Sequence, residues 1–141
     1  MTTWPTESLE SFAAIKRPLA GDAPVAAVLA EDLVALGATL DHLAGRGFQS
    51  VILFTAEAPS TAPPPSVAAQ AVLCRTAEPG AYMACLNALL PRVSGRWVHP
   101  CYNGEFLFYP FAETRSVAEL TQFVEGERRH SSAGVTVDLY P

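Results

Sequence analysis

The chain has no apolar run approaching the ~20 residues that a membrane-spanning helix needs. Residues 1–10 carry neither a basic start nor a continuous apolar segment of the kind found in secretory signals. The nine Lys and Arg residues form no basic block, and the formal charge is -5 at pH 7. Because such a chain repels phosphate backbones, nucleic acid is a poor partner. These absences predict a cytoplasmic protein with no membrane span and no nucleic-acid partner.

Cysteine is also scarce. The three cysteines, Cys74, Cys85 and Cys101, are odd in number and show no Cys-x-x-Cys spacing, which excludes a disulfide framework. We expect each to be a small buried hydrophobe in a reducing compartment. In contrast, 50% of the 141 residues are hydrophobic and only 16% are charged. This composition indicates a packed globular domain.

Short apolar runs alternate with helical patterns along the chain. Strands are predicted at residues 25–30, 50–54, 71–74 and 135–139, with a further strand that begins at residues 96–98. Helices are predicted at 33–43, at 79–93 and from an N-cap at Ser116 with Glu119 completing a capping box. The proline-rich residues 56–66 are expected to form a surface loop. This alternation indicates an α/β fold with a mostly parallel sheet and helices on both faces.

The chain is predicted to divide at residue 22. Residues 1–22 are interpreted as an N-terminal lead-in segment, with a short amphipathic helix between Glu7 and Lys16, and residues 23–141 as the α/β domain. Parallel sheets of this kind bind ligands outside the carboxyl ends of their strands. The positions expected there are Glu31 and residues 55–57, 75–78 and 100–105.

An ordered set of short motifs runs through the second half of the sequence. The motifs are Arg75-Thr76-Ala77, Asn87-Ala88-Leu89-Leu90, Gly95-Arg96-Trp97-Val98, residues 105–110 (EFLFYP) and residues 137–141 (VDLYP). Their order resembles a bacterial group of family 2 glycosyltransferase-like proteins with the GT-A fold. The resemblance is most specific over residues 75–141 and looser over residues 24–55. It implies the nucleotide-binding, Rossmann-like half of such an enzyme.

The resemblance implies a metal motif that this sequence does not keep. In that family a D-x-D pair holds Mg²⁺ or Mn²⁺ against the diphosphate of a nucleotide sugar. Tyr102 and Gly104 occupy the two aspartate positions here, which leaves only Asn103 and Glu105 as oxygen donors. We therefore expect neither a metal site nor a cofactor.

Two further landmarks of the family are reduced. The Asn-Glu that ends its first strand is Ala30-Glu31 here, and its aspartate-rich turn after the second strand is replaced by residues 55–60, beginning with Thr55. The acceptor-binding half that follows the last motif in the family is not expected in this chain. The donor-side remnants implied by the resemblance are Glu31, Thr55, Asn103 and Glu105, with no catalytic residue among them.

These losses predict a catalytically silent glycosyltransferase-like domain, a pseudoenzyme that acts as a binding or structural module or as a subunit of a larger assembly. Its expected partner is a protein or a second copy of the chain, with a carbohydrate or nucleotide sugar as a further candidate ligand. The alternative is an active family 2 glycosyltransferase that uses a nucleotide-sugar donor with a non-standard Mg²⁺ or Mn²⁺ site, or that another chain completes.

Other candidate groups are given structural interpretations. His99 and Cys101 are read as a strand histidine beside a buried thiol, since two more ligands would be needed for a metal site. His42 and Asp41 are expected to be a solvated surface pair. The aromatic residues of the retained motifs are expected to pack the sheet; they are Trp97, Phe106, Phe108 and Tyr109.

Overall fold

Parallel strands form the centre of the computed structural model, which describes residues 4–137. The five strands are β1 (Thr6–Ser8), β2 (Val25–Ala30), β3 (Ser50–Thr55), β4 (Ala68–Leu73) and β5 (Val98–Tyr102), in the spatial order β1-β4-β3-β2-β5. The helices are α1 (Leu9–Ala14), α2 (Leu36–Gly45), α3 (Ala81–Leu89), which continues into a 3₁₀ turn (Leu90–Arg92), and α4 (Val117–Gly126). Within the described residues no helix is both long and apolar enough to cross a bilayer. The predicted α/β, Rossmann-like fold is confirmed.

The two faces of the sheet are covered by different helices. Side chains of a strand point alternately to opposite faces, so the fully apolar β2 and the apolar centre of β3 supply both cores. One core contains buried residues of α2 and α4, and the other contains buried residues of α1 and α3. Helices on both faces were predicted from the sequence, and this prediction is confirmed.

The helix that follows β2 begins three residues later than predicted. The helix was expected from residue 33, but α2 begins at Leu36. Asp32 Oδ1 accepts a hydrogen bond from Val34 N at 2.9 Å, and Ala35 adopts a left-handed conformation with φ 58°. A turn held by an aspartate side chain therefore separates β2 from α2.

The first described residues join the sheet directly. β1 pairs in parallel with β4, and Ser8 caps α1 by accepting a hydrogen bond from Ser11 N at 3.1 Å. Phe12 of α1 is fully buried and packs edge-to-face on Phe54, with ring centroids 6.1 Å apart. The amphipathic helix was predicted, but β1 was not, because three residues are too short to show an alternating pattern.

The outer side of β5 is an edge of the sheet. A closing strand was predicted over residues 135–139. Residues 135–137 instead lie in exposed coil, and residues 138 and 139 lie outside the described residues, as does most of the motif at 137–141. For residues 135–137 the predicted strand is wrong.

The backbone of β5 explains why no strand is added there. Asn103 N donates to Leu29 O, so alternate residues of β5 face β2 while Pro100 and Tyr102 face the open side. Pro100 has no N–H to offer. Tyr102 N donates to Glu105 Oε2 at 3.0 Å, and Tyr102 O accepts from Glu105 N at 3.1 Å. Pro100 and Tyr102 therefore have no free N–H to offer to a further strand.

The capping box of α4 is present as predicted. Ser116 Oγ accepts from Glu119 N at 3.3 Å, and Glu119 Oε1 accepts from Ser116 N at 3.4 Å. Hydrogen bonds from Arg115 and Ser116 hold the pKa of the Glu119 carboxyl below its ordinary value. The box satisfies backbone donors that the first turn of α4 would otherwise leave without partners.

Ser116→Ala is expected to lower the free energy of unfolding by about 1 kcal/mol, because it removes the side-chain acceptor at the N-cap. Urea denaturation at neutral pH measures the change. Ser131→Ala, in exposed coil, is the matched control and should leave the unfolding midpoint unchanged. Equal midpoints for both variants would contradict a stabilising role for the cap.

Candidate functional site

The sheet has one point at which ligands of open α/β folds are generally bound. β2 lies between β3 and β5, so the chain leaves β2 toward one side of the sheet and later returns on the other. The crevice outside the carboxyl ends of β2 and β5 is thus the topological switch point. The register places Leu29 opposite Tyr102 and Ala30 opposite Thr55. The four predicted site residues therefore all lie at or just after strand ends at the same edge of the sheet.

The side chain of Asn103 fills the gap between the loops after β2 and β5. Its Nδ2 donates to Asp32 O at 3.0 Å and to Val34 O at 2.7 Å. Its Oδ1 accepts from the hydroxyl of Thr39 at 2.9 Å. Both amide donors are thus used within the chain. Asn103 ties β5 to the turn that precedes α2.

Thr39 of α2 supports this arrangement and was not predicted as a site residue. It is fully buried, its hydroxyl lies 3.2 Å from Ala35 O as well as next to Asn103, and it accepts from Gly104 N at 3.0 Å. A sequence signal existed: Thr39 is a polar residue on the apolar face formed by Leu36, Leu40 and Leu43. A buried hydroxyl needs a hydrogen-bond partner, and the partners here come from the loop after β5.

Glu105 is engaged within its own turn. Gly104 has φ 88°, a conformation that favours glycine, and it reverses the chain so that the Glu105 carboxylate reaches Tyr102 N. Glu105 is the one acid that remains of the metal motif implied by the resemblance. In this structure its side chain caps the end of β5.

Thr55 and Glu31 complete the predicted set. The Thr55 hydroxyl is buried and donates to Glu57 O at 2.9 Å, while Glu31 is exposed to solvent. Within residues 4–137 no hydrogen bond joins any two of the four predicted residues. The structure brings Asn103 and Glu105 into one turn, and it places Thr55 and Glu31 at neighbouring strand ends without direct contact to that turn.

A tyrosine bridges β2 and β5 from the opposite face of the sheet. The Tyr82 hydroxyl, on α3, lies 3.0 Å from Ala27 O and 3.1 Å from Cys101 O, to which it donates. Its ring packs edge-to-face on Tyr102, with centroids 5.0 Å apart. Burial raises the pKa of the Tyr82 phenol, so the group stays a neutral donor. Tyr82 lies within the helix predicted over residues 79–93, and the role of its hydroxyl was not predicted.

His99 and Cys101 have the roles expected for a strand histidine and a buried thiol. The His99 ring stacks on Phe48 at 5.6 Å, and burial lowers its pKa, so the ring is neutral at pH 7. Burial raises the pKa of the Cys101 thiol to about 12, which disfavours a thiolate nucleophile. In the part of the chain that the structure describes, no three His, Cys, Asp or Glu side chains are grouped so as to hold a metal ion.

Comparison of the chain with protein-family models, with curated proteins and with solved structures finds no match. The glycosyltransferase resemblance therefore rests on the sequence motifs alone.

Two aromatic residues of those motifs lie outside the sheet core. Phe106 is 44% exposed and Phe108 is 73% exposed, so the expectation that they pack the sheet is wrong. The turn at Asn103 and Gly104 directs the chain across α2, where the two rings flank His42 at 5.1 and 5.4 Å. His42 Nε2 also lies 3.0 Å from Leu107 O. His42 is thus covered by this loop and is not the solvated partner of Asp41 that the sequence suggested.

The remaining two aromatic residues are partly buried at the periphery. Trp97 is half-buried and its Nε1 donates to Glu125 Oε1 of α4 at 2.7 Å. The Tyr109 hydroxyl donates to Arg115 O at 2.7 Å. Both residues join the loops around α4 to the domain and contribute little to the sheet core.

A second surface feature lies at the far end of the same sheet edge. An open groove of about 650 Å³ runs between α1 and α3, outside the carboxyl ends of β1 and β4. Its lining includes Ser8, Lys16, Arg75 and the thiols of Cys74 and Cys85. The groove is separate from the switch point and contains none of the four predicted site residues.

Proposed function

We propose that this chain is a catalytically silent, glycosyltransferase-like α/β domain that acts as a protein-binding module. The observation that supports this most is the side chain of Asn103, which lies across the switch point and is hydrogen-bonded to Asp32, Val34 and Thr39. A donor nucleotide would need free donors and acceptors in this crevice, and those of Asn103 are used within the chain.

Opening the crevice would carry a free-energy penalty. Four hydrogen bonds would be broken, three made by the Asn103 side chain and one between Gly104 N and Thr39. At about 0.5–1 kcal/mol each for partly solvated bonds, the penalty is about 3 kcal/mol. The apparent affinity of any ligand that needs the open form falls by roughly 100-fold. A donor with an intrinsic Kd of about 10 μM would then bind with an apparent Kd of about 1 mM.

A protein partner is favoured by the surface that the aromatic loop presents. We define the aromatic loop as residues 106–111, in which Phe108 and Phe111 are about 70% exposed. Aromatic side chains are enriched in protein interfaces relative to the remaining surface. Phenylalanine offers no hydroxyl or N–H to orient a sugar, and the charge of -5 disfavours nucleic acid. The partner to test first is a second copy of this chain.

Titration with UDP- and GDP-sugars in the presence of Mn²⁺ or Mg²⁺ tests the proposal that the domain is catalytically silent. We expect no metal-dependent rise in Tm up to ~1 mM ligand, because a ligand that binds the folded state must stabilise it. Asn103→Ala is the informative companion variant, since it removes the side chain that crosses the crevice. Metal-dependent binding by the unmodified chain at or below ~1 mM would overturn the proposal and favour an active transferase.

Sedimentation over a concentration series tests the binding role with the same protein. A reversible dimer that is weakened by Phe108→Ala, but not by Val135→Ala in exposed coil, would support self-association through the aromatic loop. A monomer at every concentration would exclude a second copy as the partner.

A further inference from the structure

Two of the three thiols are in direct contact. Cys85 Sγ on α3 lies 3.6 Å from Cys74 Sγ, which follows the end of β4. Both are free, and they come from separate elements that the fold packs together. The third thiol, Cys101, lies in the core on the opposite face of the sheet. A pair of contacting thiols of this kind has a chemistry that a single buried cysteine lacks.

We propose that Cys74 and Cys85 are a thiol–disulfide exchange site that reacts with a low-molecular-weight disulfide entering the groove between α1 and α3. Both residues line that groove, whose volume of about 650 Å³ is enough to admit a small peptide disulfide. The sulfurs need to approach by only about 1.5 Å to reach bonding distance. This proposal does not depend on whether the switch point lacks glycosyltransferase activity.

The exposure of the two thiols sets the order of the steps. Cys74 is partly exposed, whereas Cys85 is fully buried. An incoming disulfide can therefore reach Cys74 and not Cys85. Cys74 is assigned as the attacking thiol and Cys85 as the resolving thiol.

The exchange balances in two steps with the small disulfide RSSR as oxidant. The Cys74 thiolate attacks one sulfur of RSSR, which forms Cys74–S–S–R and releases the first RSH after protonation. The Cys85 thiol then loses its proton and attacks the Cys74 sulfur, which forms the Cys74–Cys85 bond and releases the second RSH. Overall the two protein thiols are oxidised and RSSR is reduced to two thiols.

The surroundings make this exchange slow at neutral pH. Burial raises the pKa of the Cys74 thiol above its ordinary value and that of Cys85 to about 12. The charged residues that line the groove balance in sign and give the thiolate no net support; they are Glu10, Lys16, Arg75 and Glu78. Because the thiolate is the attacking species, the rate should rise with pH. The pair is suited to sustained oxidation rather than to rapid signalling.

Oxidation would act on a helix that also reaches the switch point. Cys85 lies one helical turn after Tyr82, whose hydroxyl bridges Ala27 and Cys101. A covalent bond from Cys85 to the segment after β4 would fix the position of α3 against the sheet. The oxidised chain is therefore expected to show a higher Tm than the reduced one.

The full chain, reduced and then freed of reductant, is incubated with oxidised glutathione at pH 8. We expect the number of alkylatable thiols in the denatured product to fall from three to one, with Cys101 the remaining thiol. Peptide mapping by mass spectrometry should show Cys74 linked to Cys85, and dithiothreitol should restore all three thiols. This readout needs no variant and so does not depend on a mutant that folds.

Single variants then separate the two roles. Cys85→Ser should stop at a stable glutathione adduct on Cys74. Cys74→Ser should leave the Cys85 thiol free of glutathione. Cys101→Ser should form the Cys74–Cys85 disulfide as the parent chain does. Persistence of three free thiols at millimolar oxidised glutathione would overturn the proposal. Modification of Cys101 at the same rate as Cys74 would also overturn it, because the reaction would then reflect unfolding.

Discussion

Asn103→Asp is expected to destabilise the domain by about 2–3 kcal/mol at pH 7, although the side chain keeps its size and shape. The carboxylate would place an oxygen where Nδ2 now donates to Asp32 O at 3.0 Å and Val34 O at 2.7 Å. Two hydrogen bonds are lost and like partial charges face each other, in a half-buried site where part of the effect is screened by water. Urea denaturation measures the loss.

The loss should depend on pH in a defined direction. The facing carbonyl oxygens disfavour the ionised form, so the pKa of the new carboxyl is raised in the folded state above its unfolded value of about 3.9. The penalty is therefore complete above the folded pKa and shrinks as the pH falls toward about 4, where the protonated acid can donate one hydrogen bond. Unfolding curves of the variant and the parent should converge between pH 7 and pH 4.

Asn87→Asp provides the matched control, because it is the same substitution at an exposed position of α3. It should alter stability by no more than about 0.5 kcal/mol at either pH. If both variants lose the same stability, the side chain of Asn103 does not hold the crevice closed, and the support for a silent domain is removed with it.

Phe54→Ala is expected to produce the largest loss of stability, about 3–5 kcal/mol. Phe54 is fully buried on β3, in the middle of the sheet, and its ring meets Phe12 edge-to-face at 6.1 Å. Truncation would leave a cavity between α1 and the sheet that neither rigid neighbour can fill. Since domains of this size are stable by only about 5–15 kcal/mol, the variant should be near the limit of folding.

Phe108→Ala removes the same side chain from the aromatic loop and should change the unfolding free energy by no more than about 0.5 kcal/mol, because the ring is already 73% exposed. Thermal and urea unfolding of the two variants measure the contrast. A similar loss in both would mean that the aromatic loop belongs to the folded core and is not a free surface.

The fold could be predicted from the sequence because its signals are local. The apolar runs of β2 and β3 and the box formed by Ser116 and Glu119 each occupy a few consecutive residues. β1 was not predicted because it is three residues long and owes its conformation to pairing with β4. The turn before α2 depends on the left-handed backbone of Ala35, which no propensity favours.

The location of the candidate site could also be predicted, but the roles of its residues could not. Asn103 and Glu105 lie at the expected edge of the sheet because strand ends can be read from the sequence. The hydrogen bonds that engage Asn103 join it to residues more than 60 positions earlier, Asp32 and Thr39 among them. Such contacts depend on the spatial order of the strands, which the sequence pattern does not specify.

The edge formed by β5 bears on how the protein behaves when it is concentrated. Unpaired strand edges are templates for ordered aggregation, and a chain that is half hydrophobic is especially exposed to this hazard. Here Pro100 withholds the N–H that an incoming strand would need, and Glu105 occupies the backbone groups of Tyr102. On this side of the molecule, therefore, neither Pro100 nor Tyr102 has a free backbone N–H for a strand of a growing fibril.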